Sequence, residues 1–192
     1  EQFVKGLEQS YRGVRSLKAE FIQTHVWGAR RRSESGVVVL ARGGRMRWEY
    51  LEPSEKLFLA DGKKVFLYVP ADQQATWSSL KESDDVRVPF RLLLSRLNLR
   101  KVFSRVELAN DAPPHAAENR VLRGYPKRGA EDLYREVLME VTPEFDIQRL
   151  VVFYPDRSSM EFVFKSIERN AAVSPNLFRF TPPPGTEVIQ QP

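Results

Sequence analysis

The sequence predicts a mainly β chain with a few helices, an α+β fold built on an antiparallel sheet, and three observations carry that expectation. Apolar residues are spaced for a helix at the start, and from Ala19 onward the pattern reads as strands. Turn-forming pairs such as Asp61-Gly62 and Pro155-Asp156 separate apolar runs of strand length. The regular exchange of strands and helices that a parallel α/β sheet requires is missing.

Phe3, Val4, Leu7, Tyr11, Val14 and Leu17 recur at helical spacing, with Lys5, Glu8 and Arg12 off the stripe, so an amphipathic helix is expected there. Phe21, Gln23, His25 and Trp27 then alternate with Ile22, Thr24 and Val26. A turn over Arg30–Ser35 leads to a second strand, Gly36–Ala41. Met46, Trp48 and Tyr50 point to one face, Arg45, Arg47 and Glu49 to the other, and Pro53 ends the run. Leu57–Ala60 and Val65–Val69 form a hairpin about Asp61-Gly62, since Asp-Gly accepts the positive φ of a tight turn. Pro70–Asp72 turns into Gln74–Trp77. Pro89 suits the first turn of a second helix, which sets Phe90, Leu93, Leu94 and Leu97 on one side. Alternation returns over Lys101–Leu108. Asn110–Asn119, with Pro113-Pro114, reads as an exposed loop. Hairpin strands are expected at Leu133–Val141, Ile147–Tyr154 and Met160–Ile167. A sheet curved around the two helices would bury both the Leu-rich helix and the sheet aromatics.

The chain has 192 residues, 42 % hydrophobic and 29 % charged, an ordinary globular composition that suits one domain over residues 1–192. No apolar run approaches the roughly 18 residues of a membrane span. Glu1–Gly6 lacks the basic start and apolar stretch of a signal peptide, which leaves a cytosolic chain or one whose signal has been removed. The net charge is +5, and residues 1–64 hold thirteen Lys/Arg against eight Asp/Glu while the remainder is balanced. Such asymmetry suits an anionic membrane surface, an acidic partner, or simply a solvated face.

Signs of catalysis are few. There is no cysteine, so disulfides, thiolate metal sites and cysteine nucleophiles are excluded. His25 lies within an alternating strand and His115 in a Pro-rich loop, with no HExxH, nucleophile elbow or phosphate loop around them. No cofactor or metal is expected. Arg30, Arg31 and Arg32 beside Trp27, Trp48 and Tyr50 could follow a nucleic acid backbone. The aromatics, however, alternate out of phase with the arginines on their strands, which suits an apolar wall and argues against that partner.

The order and spacing of several segments resemble one family. They are the N-terminal helix followed by Phe21-Ile22-Gln23, Gly36 opening a strand, Arg42 six residues before Trp48, Pro53, Ala60-Asp61-Gly62, Val65–Tyr68 and Gln74. The tail, Leu177 to Gly185 with Phe178, Phe180 and three prolines, then Val188-Ile189-Gln190, is similar to that family's closing strand and turn. The family is the periplasmic outer-membrane lipoprotein carriers of LolA type. The resemblance implies an incomplete antiparallel β-barrel with a helical lid over an apolar cavity, and no enzymatic activity. It further implies a monomeric periplasmic carrier that takes lipoprotein acyl chains from an inner-membrane lipoprotein-releasing transporter and gives them to an outer-membrane acceptor lipoprotein. A carrier or acceptor of another lipid on the same fold is the alternative.

The resemblance also assigns residues. Arg42 falls on the family's latch, an arginine that holds the lid backbone when the cavity is empty, although Gly43 follows here where the family has proline. Met46 and Trp48 fall near the cavity mouth. Tyr50, Phe58, Phe66, Tyr68, Leu93, Leu94, Met160, Phe162 and Phe164 are expected to line the cavity or fill a closed core, which periodicity does not separate.

Overall fold

The computed structural model describes residues 1–83, 90, 94 and 97–191. Twelve strands form one sheet: β1 (Ser16–Trp27), β2 (Arg30–Ala41), β3 (Arg45–Glu52), β4 (Lys56–Asp61), β5 (Lys64–Val69), β6 (Gln74–Ser79), β7 (Arg105–Leu108), β8 (Arg120–Tyr125), β9 (Glu136–Val141), β10 (Ile147–Phe153), β11 (Ser159–Arg169) and β12 (Glu187–Gln190). Among the described residues two α-helices accompany them, α1 (Gln2–Tyr11) and α2 (Leu99–Val102). The strand order is β12-β6-β5-β4-β3-β2-β1-β11-β10-β9-β8-β7, an unclosed sheet with β12 and β7 at its edges. This is the mainly β fold with few helices that the sequence predicts. Among the described residues no helix is long and apolar enough to cross a membrane.

The chain divides into two compact units. One comprises residues 1–10, 21–33 and 98–165, the other residues 11–20, 34–97 and 166–192. In the second, β2 to β6 form an antiparallel meander, and the C-terminal β12 adds to β6 in parallel, Glu187 facing Gln74 and Gln190 facing Trp77. In the first, β7 to β11 form another antiparallel meander.

Several boundaries differ from the sequence reading, each for a local reason. Helix α1 stops at Tyr11, whose carbonyl accepts from Val14, and Leu17 already lies in β1. The first hairpin turns at Gly28, where φ is 59°, and Arg30–Ser35, expected as the turn, belongs to β2. That polar run stands outside the β3 pairing, which begins only where Ser35 faces Glu52, so nothing apolar is asked of it. Lys101–Leu108 splits into the end of α2 and the short β7, because Asn98 caps a helical turn by accepting from the Lys101 N–H at 3.0 Å. Strand β9 begins at Glu136, which leaves Leu133 64 % exposed in the preceding loop. The helix expected from Pro89 lies outside the described residues apart from Phe90, Leu94 and Leu97, all buried.

Glu140 on β9 is 1 % exposed. It accepts from the Asn119 amide at 2.8 Å, from the backbone of His115 at 2.9 Å and of Ala116 at 3.4 Å, and from Arg149 at 3.3 Å. Those bonds fix the 110–119 loop across β8 and β9. Burial alone would raise the Glu140 pKa, yet the donors outweigh it and hold the carboxyl below its ordinary range.

Candidate functional site

Residues that face one another across an antiparallel pair share a side of the sheet, so the register sorts the candidate residues. In the unit of β2 to β6, Val38, Trp48, Phe58, Leu67 and Thr76 form one row, and Leu40, Met46, Ala60 and Val65 the next. Tyr50 follows Trp48 on this side, opposite Gly36. Met46 and Trp48 are 0 % exposed, Tyr50 1 % and Phe58 2 %. The Phe90 ring meets Trp48 edge-on at 5.1 Å, and Leu94 is buried in the same unit. Four large side chains predicted from sequence therefore stand together on one apolar face.

Phe66 and Tyr68 do not join them. Phe66 faces Leu59 and Trp77, while Tyr68 faces Leu57 and Ala75, all on the opposite side of the sheet. Phe180 from the C-terminal segment covers them there, 5.0 Å from Phe66 and 6.0 Å from Tyr68 between ring centroids. On that same side Phe178 packs against Val39 and Ala41, and Arg47 donates to the Leu177 carbonyl at 3.1 Å. The register across β4 thus places Leu67, which lies between Phe66 and Tyr68 on β5, on the Trp48 side. Leu93 lies outside the described residues.

At the end of the apolar face the chemistry becomes polar. The Lys56 ammonium lies 4.3 Å over the Tyr50 ring and 2.7 Å from Glu34, whose side chain is 11 % exposed. Gly36 stands at a register shift in β2, and a Cβ there would lie 1.7 Å from the Glu49 carbonyl oxygen, so only glycine fits the approach of β3. A cleft of about 150 Å³ opens at the β5–β6 border between Phe58, Leu67 and Thr76, with Glu82 and Ser83 at its rim.

Arg42 sits just beyond β2. Its Nε donates to the Val14 carbonyl at 3.0 Å and a terminal nitrogen to the Arg12 carbonyl at 2.6 Å, while its own N–H bonds the Arg15 carbonyl. The guanidinium fork therefore ties down the connection from α1 to β1. Gly43 and Gly44 follow at φ 85° and 72°, and Arg45 donates back to the Arg42 carbonyl at 3.0 Å. A proline after Arg42 is incompatible with that φ, so the departure from the family pattern at Gly43 reflects a tight glycine turn.

In the other unit a row comes from β7 to β11. Phe162, Leu150, Met139, Leu122 and Leu108 face one another in turn. Phe162 is 0 % exposed and Phe164 6 %, their rings parallel at 6.4 Å. Met160 accepts from the Gln23 amide at 3.3 Å through its sulfur. Gly124 lets Phe103 settle on β8, since a Cβ at that position would come within 2.7 Å of the ring. Leu122 escaped the sequence reading because β8 carries Val121 and Leu122 both buried, without alternation.

Comparison with known proteins adds the following. The family model described as outer membrane lipoprotein carrier protein LolA matches residues 12–181. An outer-membrane lipoprotein carrier protein of Dechloromonas aromatica is 29 % identical over 97 % of this chain and 86 % of its own length. One of Nitrosospira multiformis is 27 % identical over 98 % of this chain and 88 % of its own. An uncharacterised conserved protein of Thermus thermophilus shares the fold at a TM-score of 0.61, with 12 % identity, over 99 % of this chain and 98 % of the other.

Proposed function

This chain belongs to the outer membrane lipoprotein carrier protein LolA family, and from that premise we propose that it is a periplasmic carrier for the acyl chains of lipoproteins. The observation that carries the reading is the set of Met46, Trp48, Tyr50 and Phe58 on one side of β3 and β4, a wall of large apolar surfaces with no charged side chain among them. Each CH₂ withdrawn from water is worth about 0.8 kcal/mol, so a triacylated passenger needs such a wall in place of a bilayer. Phe162 and Phe164 supply apolar surface in the other unit.

In this reading the passenger comes from an inner-membrane lipoprotein-releasing transporter and passes to an outer-membrane acceptor lipoprotein. The sequence has no phosphate loop, so the donor supplies the energy. Arg42 is the latch: its bonds to Arg12 and Val14 favour the empty, closed form, and a bound acyl chain competes with them.

The test is release of a triacylated lipoprotein from spheroplasts. Purified protein added to the medium is expected to recover the lipoprotein in a soluble one-to-one complex. No release under conditions where another carrier of the family succeeds counts against the proposal. Native mass spectrometry of the extracted protein showing phospholipid and no lipoprotein would assign it instead to another lipid.

A further inference from the structure

Three connections meet at one end of the unit that holds β7 to β11. Strand β1 neighbours β11 in the sheet, and Gln23 bonds Met160, so the β1–β2 turn lies beside the β10–β11 turn. Phe153, the last residue of β10, faces both Ser159 of β11 and Glu136 of β9, and its carbonyl accepts from the Arg135 N–H at 2.7 Å. Residues 28–33, 126–135 and 154–158 are thereby brought to the same edge.

Their charge is one-sided. Arg30, Arg31, Arg32, Lys127, Arg128, Arg135 and Arg157 are all exposed, against Glu131, Asp132 and Asp156. Two of those acids accept hydrogen bonds within their own turns: Glu131 from the Gly129 N–H at 2.6 Å, and Asp156 from the N–H and hydroxyl of Ser158. Among the described residues the side chains of Arg30, Arg31, Lys127, Arg128, Arg135 and Arg157 take no hydrogen bond or ion pair within the chain. Four of the seven basic groups come from beyond residue 64, where the sequence as a whole is balanced. Two apolar groups lie among them, Leu133 at 64 % exposure and the half-buried Trp27, whose ring lies 4.6 Å from that of His25 at a tilt of 33°.

We propose that this end of the unit, carrying Arg30, Arg31, Arg135, Arg157, Trp27 and Leu133, is a docking site for an anionic phospholipid surface. Basic side chains draw such a surface over a Debye length, while a leucine and an indole among them enter the headgroup layer. An acidic protein would satisfy the arginines but leave Leu133 without a reason to be exposed between them. The inference stands whether or not the passenger is a lipoprotein, because it concerns a different surface from the Trp48 face.

Cosedimentation with vesicles tests it. Vesicles of phosphatidylcholine with one third phosphatidylglycerol are expected to pellet the protein at low ionic strength, and vesicles of phosphatidylcholine alone are not. Salt at about 0.5 M should release it, since screening then acts within a few ångströms. Each basic group near an anionic surface is worth roughly fivefold in partitioning, so Arg30→Ser, Arg31→Ser and Arg135→Ser together should lower it about a hundredfold. Leu133→Ser should lower it severalfold without changing charge. Thermal melting of these surface variants should match the parent, which separates lost docking from lost folding. Equal pelleting with neutral vesicles, no pelleting with anionic ones, or an unchanged triple variant would overturn the proposal. So would capture by a polyglutamate resin that ignores Leu133→Ser, which would assign the surface to an acidic protein.

Discussion

Replacing Arg42 with leucine removes two charge-assisted hydrogen bonds and leaves the backbone bond from Arg42 N–H to Arg15 in place. Bonds to a charged group are worth about 1.5–3 kcal/mol each, and the exposure of Arg42 puts these at or below the lower end, about 1–1.5 kcal/mol each. The pair then contributes roughly 2–3 kcal/mol to holding the α1–β1 connection. At about 1.4 kcal/mol per tenfold, the population with that connection detached rises roughly 30- to 150-fold in Arg42→Leu. If detachment admits the passenger, the variant loads at least as well as the parent and surrenders its passenger poorly, because the empty closed form no longer offsets the buried acyl chains. Hydrogen exchange of the amides of residues 12–17 reads the first step, and transfer of a radiolabelled lipoprotein to an acceptor reads the second. Exchange within twofold of the parent would refute the energetic argument. Faster exchange with unchanged transfer would refute the latch role while leaving the hydrogen bonds intact.

The remaining predictions concern the framework. Glu140→Ala removes the acceptor of two backbone N–H groups and of one of the two Asn119 amide bonds, the other going to Gln148, and Arg149 keeps only Glu161, so urea unfolding should show a loss of about 3 kcal/mol, and a loss below about 1 would contradict the network. The Glu140 carboxyl is held below its ordinary value near 4.5, so it binds fewer protons folded than unfolded. Its contribution is complete above that value and is lost as the pH falls through the folded one, and an acid titration of Glu140→Ala should lose that part of the slope. Gly36→Ala must displace β3 from a Cβ position 1.7 Å from the Glu49 oxygen, which should cost about 2 kcal/mol or more in thermal or urea unfolding. Trp48→Ala should cost about 3–5 kcal/mol if the indole is packed as its 0 % exposure and its contact with Phe90 indicate. A cost under about 1 kcal/mol would mean that it borders open space.

Much of this fold was legible because period-2 alternation and turn chemistry agree over long stretches. Met46, Trp48 and Tyr50 could be assigned to one side from spacing alone, and Asp61-Gly62 located the β4–β5 hairpin, where Gly62 has φ 101°. The side taken by Phe66 and Tyr68 was not legible. On β5 the residues Val65 to Val69 are all apolar, so no alternation says which set faces Trp48, and only the register across β4 decides. Strand β8 was invisible for the related reason that Arg120–Tyr125 alternates poorly and contains Gly124. The parallel attachment of β12 is a tertiary choice, since its four residues are all exposed and carry no burial signal. The basic edge was legible only by halves: the Arg30–Arg32 run stood out, but Arg135 and Arg157 are scattered along the sequence and meet only through β9, β10 and β11.

The neighbourhood of β1 and β11 in the sheet has a kinetic side. Strands β2 to β6 are joined by short connections, as are β8 to β11, so those meanders close small loops and can form early. The β1–β11 seam instead joins residues near the two ends of the sequence, as Asn170 bonding to the Ser16 carbonyl shows. The loop entropy of that contact falls on the last step, and contacts of such long separation slow folding. Until the seam forms, β1 has one edge of unpaired amides and carbonyls, the state in which strands pair with the wrong chain. The polar Arg30–Ser35 run on the adjoining strand then serves as a local deterrent to aggregation.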